Sequence, residues 1–278
     1  MASRPITILA CALGGEGGGV LAEWLYDTAV HSGHSAQGTS IPGVAQRTGA
    51  TTYYFEVWPQ PDRELGGRRP LFGLSPVPGA IDVLASSELL ETVRQVGNGY
   101  ACAERTAVIT SSARALTVIE KMQLGDGRLD GDALRATVEA HSQHCHVLDM
   151  TALAQAHGTA ISAVLFGAIA GSGRLPFTRA ECEATIRRGG KGVEASLRGF
   201  AAAFEALSAQ RAAASAAGAP SPAVGTAARP LAASKSSAVP PSAPVSVPPV
   251  PPEVRERFPA ALHDIVALGH ARLRDYQD

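Results

Sequence analysis

The sequence has few cysteines, and their spacing excludes several classes of site. Its four cysteines, Cys11, Cys102, Cys145 and Cys182, are far apart and form no Cys-x-x-Cys pair. A structural zinc ion or a cysteine-bound iron–sulfur cluster requires clustered thiolates. Four scattered cysteines in a chain of 278 residues also do not make a disulfide framework. The sequence therefore predicts that this chain holds no metal.

The chain also lacks an excess of either charge and a long apolar run. Its 24 basic and 25 acidic side chains give a formal net charge of −1, which offers no basic surface for nucleic acid or an anionic membrane. The apolar stretch at residues 160–170 is shorter than the ~20 residues that cross a bilayer. No signal peptide is recognisable at the start of the chain. We expect a cytoplasmic protein with no nucleic-acid or membrane partner.

Apolar runs and helical patterns alternate along residues 1–207. Residues 6–11 are apolar and rich in β-branched side chains, as in a strand that is buried on both faces. Residues 20–31 place Leu21, Trp24, Leu25 and Ala29 at helical spacing. Further strands are predicted at residues 51–58, 80–85, 106–110, 115–121 and 145–149, and helices at 87–96, 130–140, 151–156, 160–170, 178–188 and 193–207. The pattern predicts an α/β fold of three layers, α/β/α, with a mostly parallel sheet.

The composition changes abruptly after residue 207. Residues 208–252 contain ten of the 19 prolines, no acidic residue and no aromatic residue. Such a segment buries too little apolar surface to offset its ordering entropy, so we expect a disordered Pro/Ala-rich linker. Residues 253–278 regain a helical pattern, with Pro259 at a helix start and Phe258, Leu262, Ile265 and Leu273 on one stripe. We expect a further helical region to begin there, in a chain that is the N-terminal part of a longer protein.

A glycine-rich segment, Gly-Gly-Glu-Gly-Gly-Gly at residues 14–19, separates the first predicted strand from the first helix. Glycine allows positive φ and close approach of a ligand to the backbone. The helix start adds free N–H groups and a partial positive charge. The segment can therefore hold a phosphate or carboxylate; alternatively, it is only a tight turn that packs a strand on a helix.

A nicotinamide-dinucleotide site makes a further demand that the sequence does not meet. Such sites use an acidic residue about 20 residues after the glycines to bind the ribose hydroxyls. No acidic residue occurs between Asp27 and Glu56, and Glu16 adds a negative charge to the glycine segment itself. Both observations disfavour a typical NAD site, although a free-standing nucleotide-binding oxidoreductase remains an alternative.

A second segment, Ser-Ile-Pro-Gly-Val-Ala-Gln-Arg-Thr-Gly at residues 40–49, precedes the strand predicted at 51–58. Arg47 is a fixed cation whose planar donors suit a carboxylate or phosphate, and Gln46 can donate and accept. Gly43 and Gly49 would let the segment turn sharply. Taken alone, the segment is better explained by a surface loop with a solvated arginine.

Together and in this order, the two segments resemble the glycine turn and the Ala-Gln-Arg-x-Gly loop of the gamma domain of 2-oxoacid:acceptor oxidoreductases. Within that family, the segments resemble those of the beta subunit of indolepyruvate:ferredoxin oxidoreductase. Glu16 stands where that family usually has glutamine, and Thr48 where it usually has glycine. Residues 163–171, 175–177, 190–194 and 200–204 resemble the later helices of the family, so the resemblance covers residues 5–207.

The resemblance implies a division of labour between two subunits. A larger alpha subunit binds thiamine diphosphate and carries iron–sulfur clusters, while this chain binds no cofactor alone. The complex decarboxylates indolepyruvate or another aryl pyruvate oxidatively, passes electrons to ferredoxin or another acceptor, and gives the acyl group to coenzyme A or water. By the same resemblance, the catalytic candidates are Gln46 and Arg47, and the candidates for cofactor binding are Gly14, Gly15, Gly17, Gly18, Ser40 and Gly49.

Other candidate sites have weaker support. His141, His144 and His146 lie beside Cys145, but in a strand only His144 and His146 share a face. Glu88 follows the strand predicted at 80–85, where it suits a helix cap better than a ligand. Ser111 and Ser112 lack a positioned histidine and acid for a hydrolase triad. A non-catalytic interaction module with the same fold is the remaining alternative.

Overall fold

The structure is a computed structural model of the chain, and it describes residues 4–41, 50–116, 118–122, 127–216, 249–263 and 266–267. Its contacts divide the chain into two units, Met1–Ala223 and Val224–Asp278. The first unit carries the sheet and eight of the described helices. In the second, the described residues include one short α-helix and a turn of 3-10 helix.

A six-stranded sheet with the order β2-β3-β1-β4-β5-β6 forms the middle layer of the first unit. Strands β1, β4, β5 and β6 are parallel, and β3 runs antiparallel to both β1 and β2. Five of the six strands therefore point the same way, which confirms the mostly parallel sheet. The strand bounds are β1 Ile6–Ala12, β2 Ala36–Ile41, β3 Thr51–Val57, β4 Val83–Ser86, β5 Ala107–Ser111 and β6 His144–Leu148.

Helices cover both faces of this sheet. Alternate residues of β1 point to opposite faces: Ile8 and Ala10 join one apolar core, and Leu9 and Cys11 join the other. The first core is closed by α1 and α5–α8, and the second by α2 and α4. This arrangement confirms the α/β/α layers. The helix bounds are α1 Gly18–His31, α2 Leu89–Gly97, α3 Val118–Met122, α4 Gly131–Ala140, α5 Met150–His157, α6 Ile161–Gly171, α7 Arg179–Arg188, α8 Val193–Ala216 and α9 Pro252–Arg257.

Two elements differ from the sequence predictions because their residues carry weak or misleading patterns. Strand β2 was not predicted, since it lies at the sheet edge, is largely exposed and shows no apolar alternation. Residues 115–121 were predicted as a strand from their apolar, β-branched side chains, but the segment contains the short helix α3. Short apolar runs do not distinguish a strand from a helix by periodicity alone.

The C-terminal boundaries also differ. Helix α8 continues past residue 207 to Ala216, into the stretch predicted as linker, because alanine is the strongest helix former. Pro259 is the N-cap of the 3-10 turn Ala260–Leu262. Residues 217–248 and the end of the chain lie outside the described residues. Within the described part, no single helix is long and apolar enough to cross a membrane. The bent pair α5–α6 reaches the length and apolar composition of a membrane span only when its two helices are taken together.

A buried carboxylate joins the amino ends of β1 and β4. Asp82 Oδ1 and Oδ2 accept paired hydrogen bonds from Arg4 at 2.8 Å each and from Arg105 at 2.9 and 3.1 Å. The backbone N–H of Thr7 donates to Oδ2 at 3.0 Å. Burial by itself raises the pKa of Asp82, but the bonds from Arg4, Arg105 and Thr7 outweigh it and hold the pKa well below its usual range.

We expect Asp82→Asn to lower the free energy of unfolding at pH 7 by about 2–4 kcal/mol, because it leaves Arg105 without its buried partner. A depressed carboxyl pKa gives stability that is present above the ordinary value of 3.8 and is lost as pH falls below it. Urea unfolding between pH 7 and 3 should therefore show a steeper loss for the native chain than for Asp82→Asn. Asp27→Asn, at an exposed site, is the control. Parallel curves for the native chain and Asp82→Asn would contradict this role.

Candidate functional site

The two predicted motifs adjoin the same end of the sheet: the glycine turn follows β1, and the second motif connects β2 to β3, the neighbour of β1. The glycine turn follows Ala12, the last residue of β1, and Ala12 pairs with Thr51 of β3. Ile41, the last residue of β2, pairs with Thr52. The described residues on either side of the 42–49 segment, Ile41 and Ala50, therefore lie at the same end of the sheet as the glycine turn. Gln46, Arg47 and Gly49 lie outside the described residues, and their roles stay predictions.

The glycine turn requires glycine at two positions and is open at two. Gly15 and Gly17 have φ of +89° and +82°, in the left-handed region that side chains rarely adopt. A Cβ on Gly17 would also lie 2.8 Å from Ser162 Oγ. Gly14 and Gly15 are exposed, and a Cβ on either would meet nothing within 4 Å. Among the described residues, no side chain caps the start of α1, which leaves its first N–H groups for another acceptor.

Tyr53 on β3 connects this turn with the second motif. A Cβ on Gly18 would lie 2.4 Å from Tyr53 Cε2 and 2.9 Å from Ala12 Cβ, so glycine is needed for the first turn of α1 to pack on the strands. Across the ladder, Tyr53 pairs with Ser40, which is exposed on the edge strand β2. The structure thus places Gly18 and Ser40 on either side of one aromatic residue.

We expect Gly18→Ala to destabilise the chain by about 1–3 kcal/mol, since the added methyl group has no space beside Tyr53. Gly19→Ala is the matched control, because its Cβ would meet nothing within 4 Å. Alanine is the better helix former, so this control should be neutral or stabilising by up to about 1 kcal/mol. Urea unfolding of both variants measures the difference. Equal effects would show that Tyr53 does not restrict the turn.

Glu16 closes the turn instead of facing outward. Its Oε2 accepts the backbone N–H of Leu13 at 2.7 Å and the hydroxyl of Ser87, which directly follows β4. Its backbone carbonyl accepts the N–H of Ser162 at 3.1 Å. The sequence suggested a negative charge facing a bound pyrophosphate. In the structure the carboxylate instead fixes the turn to the residue after β4, and the backbone carbonyl of Glu16 fixes it to α6.

Glu88 caps α2, as predicted, and also orders the connection after β5. Its Oε2 accepts the N–H of Glu91 at 2.7 Å, and its Oε1 accepts the N–H of Ala115 at 3.1 Å. Arg114 lies 3.4 Å from Glu88 Oε1 and also pairs with Glu120. Sequence reasoning missed Arg114, because its partners stand at separations that form no recognisable pattern.

The cysteines do not fit an iron–sulfur cluster. All four are free thiols, with Cys11 on β1, Cys145 on β6 and Cys182 on α7. Burial raises the pKa of Cys11, raises that of Cys145 to about 11 and raises that of Cys182 to about 12, so each stays a neutral thiol. Among the residues that the structure describes, no group of three or more His, Cys, Asp or Glu could hold a metal ion.

Comparison with known proteins identifies the family. The sequence model described as pyruvate ferredoxin/flavodoxin oxidoreductase matches residues 7–206. The chain belongs to this family. Membership confirms the predicted oxidoreductase class and the resemblance at the level of the family. A search of curated protein sequences gave no match.

Three solved structures are similar to this chain at low sequence identity. The 2-oxoglutarate:ferredoxin oxidoreductase from Magnetococcus marinus, solved with 2-oxoglutarate, coenzyme A and succinyl-CoA, matches over 75% of this chain and 32% of its own, with 12% identity and a TM-score of 0.51. The gamma subunit of a keto/oxoacid ferredoxin oxidoreductase from Geobacter sulfurreducens matches over 73% and 99%, with 14% identity and a TM-score of 0.49. A pyruvate oxidoreductase subunit from Thermotoga maritima matches over 73% and 96%, with 16% identity and a TM-score of 0.48.

Proposed function

We propose that this chain is the small subunit of an oxidoreductase that oxidatively decarboxylates 2-oxoacids, with indolepyruvate or another aryl pyruvate as substrate. The observation that supports the proposal is the glycine turn after β1, where Gly14 and Gly15 are exposed, at the same end of the sheet as Ile41 and Thr51, which flank the second segment. Family membership over residues 7–206 supplies the reaction class. The iron–sulfur clusters belong to a larger alpha subunit, since the cysteines of this chain do not fit one.

In this proposal the chain completes an active centre that its partner carries. Thiamine diphosphate, held by the alpha subunit, supplies the carbanion chemistry that decarboxylates the 2-oxoacid. Arg47 offers paired N–H donors and a fixed positive charge to a carboxylate or phosphate beside it. Gln46 orients a neighbouring polar group, and the uncapped start of α1 adds a partial positive charge. These groups bind and orient anions; the redox chemistry stays with the partner.

The topology disfavours the rival proposal, a free-standing dinucleotide-binding enzyme. In such folds the strand that carries the ribose-binding acid runs parallel beside the first strand. Here the antiparallel strand β3 stands between β1 and β2, and β2 ends in Ser40 and Ile41 without an acid. Glu16 is engaged by Leu13 and Ser87.

Co-expression with a thiamine-diphosphate partner tests the assembly directly. The full chain should co-purify with that partner in fixed ratio, and the isolated chain should show no saturable micromolar binding of NAD, NADP or flavin. Stable purification without any partner, together with micromolar binding of one of those nucleotides, would favour the rival enzyme. A partner that lacks both thiamine diphosphate and clusters would favour the interaction module.

The remaining parts of the proposal concern the setting of the reaction. We propose ferredoxin as the electron acceptor and coenzyme A as the acyl acceptor, in the cytoplasm. A substrate panel of aryl and alkyl 2-oxoacids, run on the purified complex with ferredoxin and then with NAD, separates these possibilities. Faster turnover of pyruvate than of indolepyruvate would overturn the proposed aryl specificity.

A further inference from the structure

A basic cavity lies at the opposite end of the sheet from the glycine turn. Its volume is about 610 Å³, and Ala107 and His144, the first residues of β5 and β6, line it. The polar groups in its wall are His144, His146, Ser172, Arg174, Arg211 and Ser215. They come from β6, from the α6–α7 connection and from α8, so the first unit alone forms the cavity.

The two arginines are held by neutral acceptors. Arg174 donates from Nη2 to Gln143 Oε1, and Arg211 donates from Nη1 to the carbonyl oxygen of Gly171 at 3.0 Å. Of the ion pairs found among the described residues, none includes either arginine. Each guanidinium has five N–H donors, so most of the donors remain for another acceptor. The cavity therefore presents positive charge that the described protein groups do not neutralise.

The backbone is shaped to hold Arg211 against the cavity. Gly173 has φ +67°, and a Cβ there would lie 1.8 Å from Arg211 Nη1. Only glycine allows the guanidinium to lie against this turn. Because Arg211 is already positioned, binding an anion would cost little side-chain ordering.

The two histidines respond to the same positive charge. Their rings stack with centroids 6.5 Å apart, and His146 is only 7% exposed. Burial lowers the pKa of both histidines, and the positive charge of Arg174 lowers both further. For His146, the charges of His144 and Arg211 lower the pKa as well, while a hydrogen bond with Gln210 raises it. Near neutral pH the imidazoles are therefore uncharged. An anion in the cavity would reverse this effect by favouring their protonated forms.

We propose that this cavity binds a multivalent oxyanion, namely a phosphate group on a small molecule. Two guanidiniums and two imidazoles that converge without a carboxylate match an anion with several acceptor oxygens. The cavity is larger than a bare phosphate and lies within the range of small-molecule pockets, about 300–1,000 Å³. The site stands apart from the glycine turn, so it does not depend on the proposed oxidoreductase role.

Calorimetric titration of the full chain with inorganic pyrophosphate tests the site. We expect saturable binding that is several-fold tighter at pH 6.0 than at pH 7.5, because His144 and His146 take up protons. Arg174→Gln and Arg211→Gln should each weaken the binding at least tenfold. Arg63→Gln, at an exposed arginine elsewhere, should leave it unchanged. Absence of saturable binding, or equal weakening by all three variants, would overturn the proposal.

A proton-resonance titration of the imidazole C2–H signals gives a readout that does not depend on variant stability. Pyrophosphate should raise the pKa of His144 and His146 and leave that of His31 unchanged. Malonate, a dicarboxylate, distinguishes the anion class; tighter binding of malonate than of pyrophosphate would overturn the assignment to phosphate. Unchanged His144 and His146 titrations with saturating pyrophosphate would place any binding elsewhere.

Discussion

Gly167→Ala is expected to destabilise the chain by about 3 kcal/mol or more, because the added methyl group would meet backbone that cannot move aside. A Cβ on this residue would lie 2.1 Å from the carbonyl oxygen of Phe200 and 2.9 Å from its Cα. Gly167 lies in α6 and Phe200 in α8, so relief requires the two helices to separate. Phe166 and Phe200 pack in a tilted arrangement beside the contact, with ring centroids 5.2 Å apart, and that packing would be lost.

The expected destabilisation is opposite in sign to the effect that helix propensity predicts, so the measurement distinguishes the two. By helix propensity alone, alanine in place of a helical glycine stabilises by about 1 kcal/mol. Gly131→Ala is the matched control, because it is also helical and a Cβ there would meet nothing within 4 Å. Urea unfolding should give opposite signs for the two variants. Stabilisation by Gly167→Ala would mean that α6 and α8 do not pack this closely.

Arg47→Ala should lower kcat/KM for the 2-oxoacid by about 10²-fold or more in the assembled complex. Removing one charged donor from a developing or bound anion has effects of this size. The urea midpoint of the isolated chain and its co-purification with the partner should not change. Arg47→Lys should recover only part of the rate, since an ammonium lacks the planar pair of donors.

Arg135→Ala is the control for this experiment, because Arg135 is exposed on α4 and its partner is the exposed Glu139. It should leave turnover unchanged. Turnover by Arg47→Ala at the native rate would remove the role proposed for that arginine. A complex that fails to assemble would instead assign Arg47 to docking, which contradicts the catalytic role proposed for it.

Most elements of the fold were predictable from local sequence patterns. The apolar run of β1, the glycine turn and the amphipathic start of α1 lie together in sequence, and each was predicted close to its observed bounds. Strand β2 was not predicted because an exposed edge strand needs no apolar face and so shows no apolar alternation. Helix α3 was misread because Val118 is β-branched and follows other apolar residues, a pattern that strands share.

Long-range partners could not be predicted from spacing. The insertion of β3 between β1 and β2, which brings Ala12 beside Thr51, is a property of strand order. The basic cavity combines residues from three separated segments. A metal site at its histidines had only weak support from the sequence, and in the structure Arg174 and Arg211 line the same cavity. The glycine turn was predicted from the sequence. The inward position of Glu16 was not, because it depends on a hydrogen bond with Ser87, which is 71 residues away in the chain.

The central claim is that this chain completes the active centre of a larger subunit. The most direct measurement is 2-oxoacid-dependent reduction of ferredoxin by the purified partner, with and without the full chain. We predict that turnover appears only when both are present and saturates at a fixed ratio of the two. A partner that turns over equally fast alone would contradict the claim.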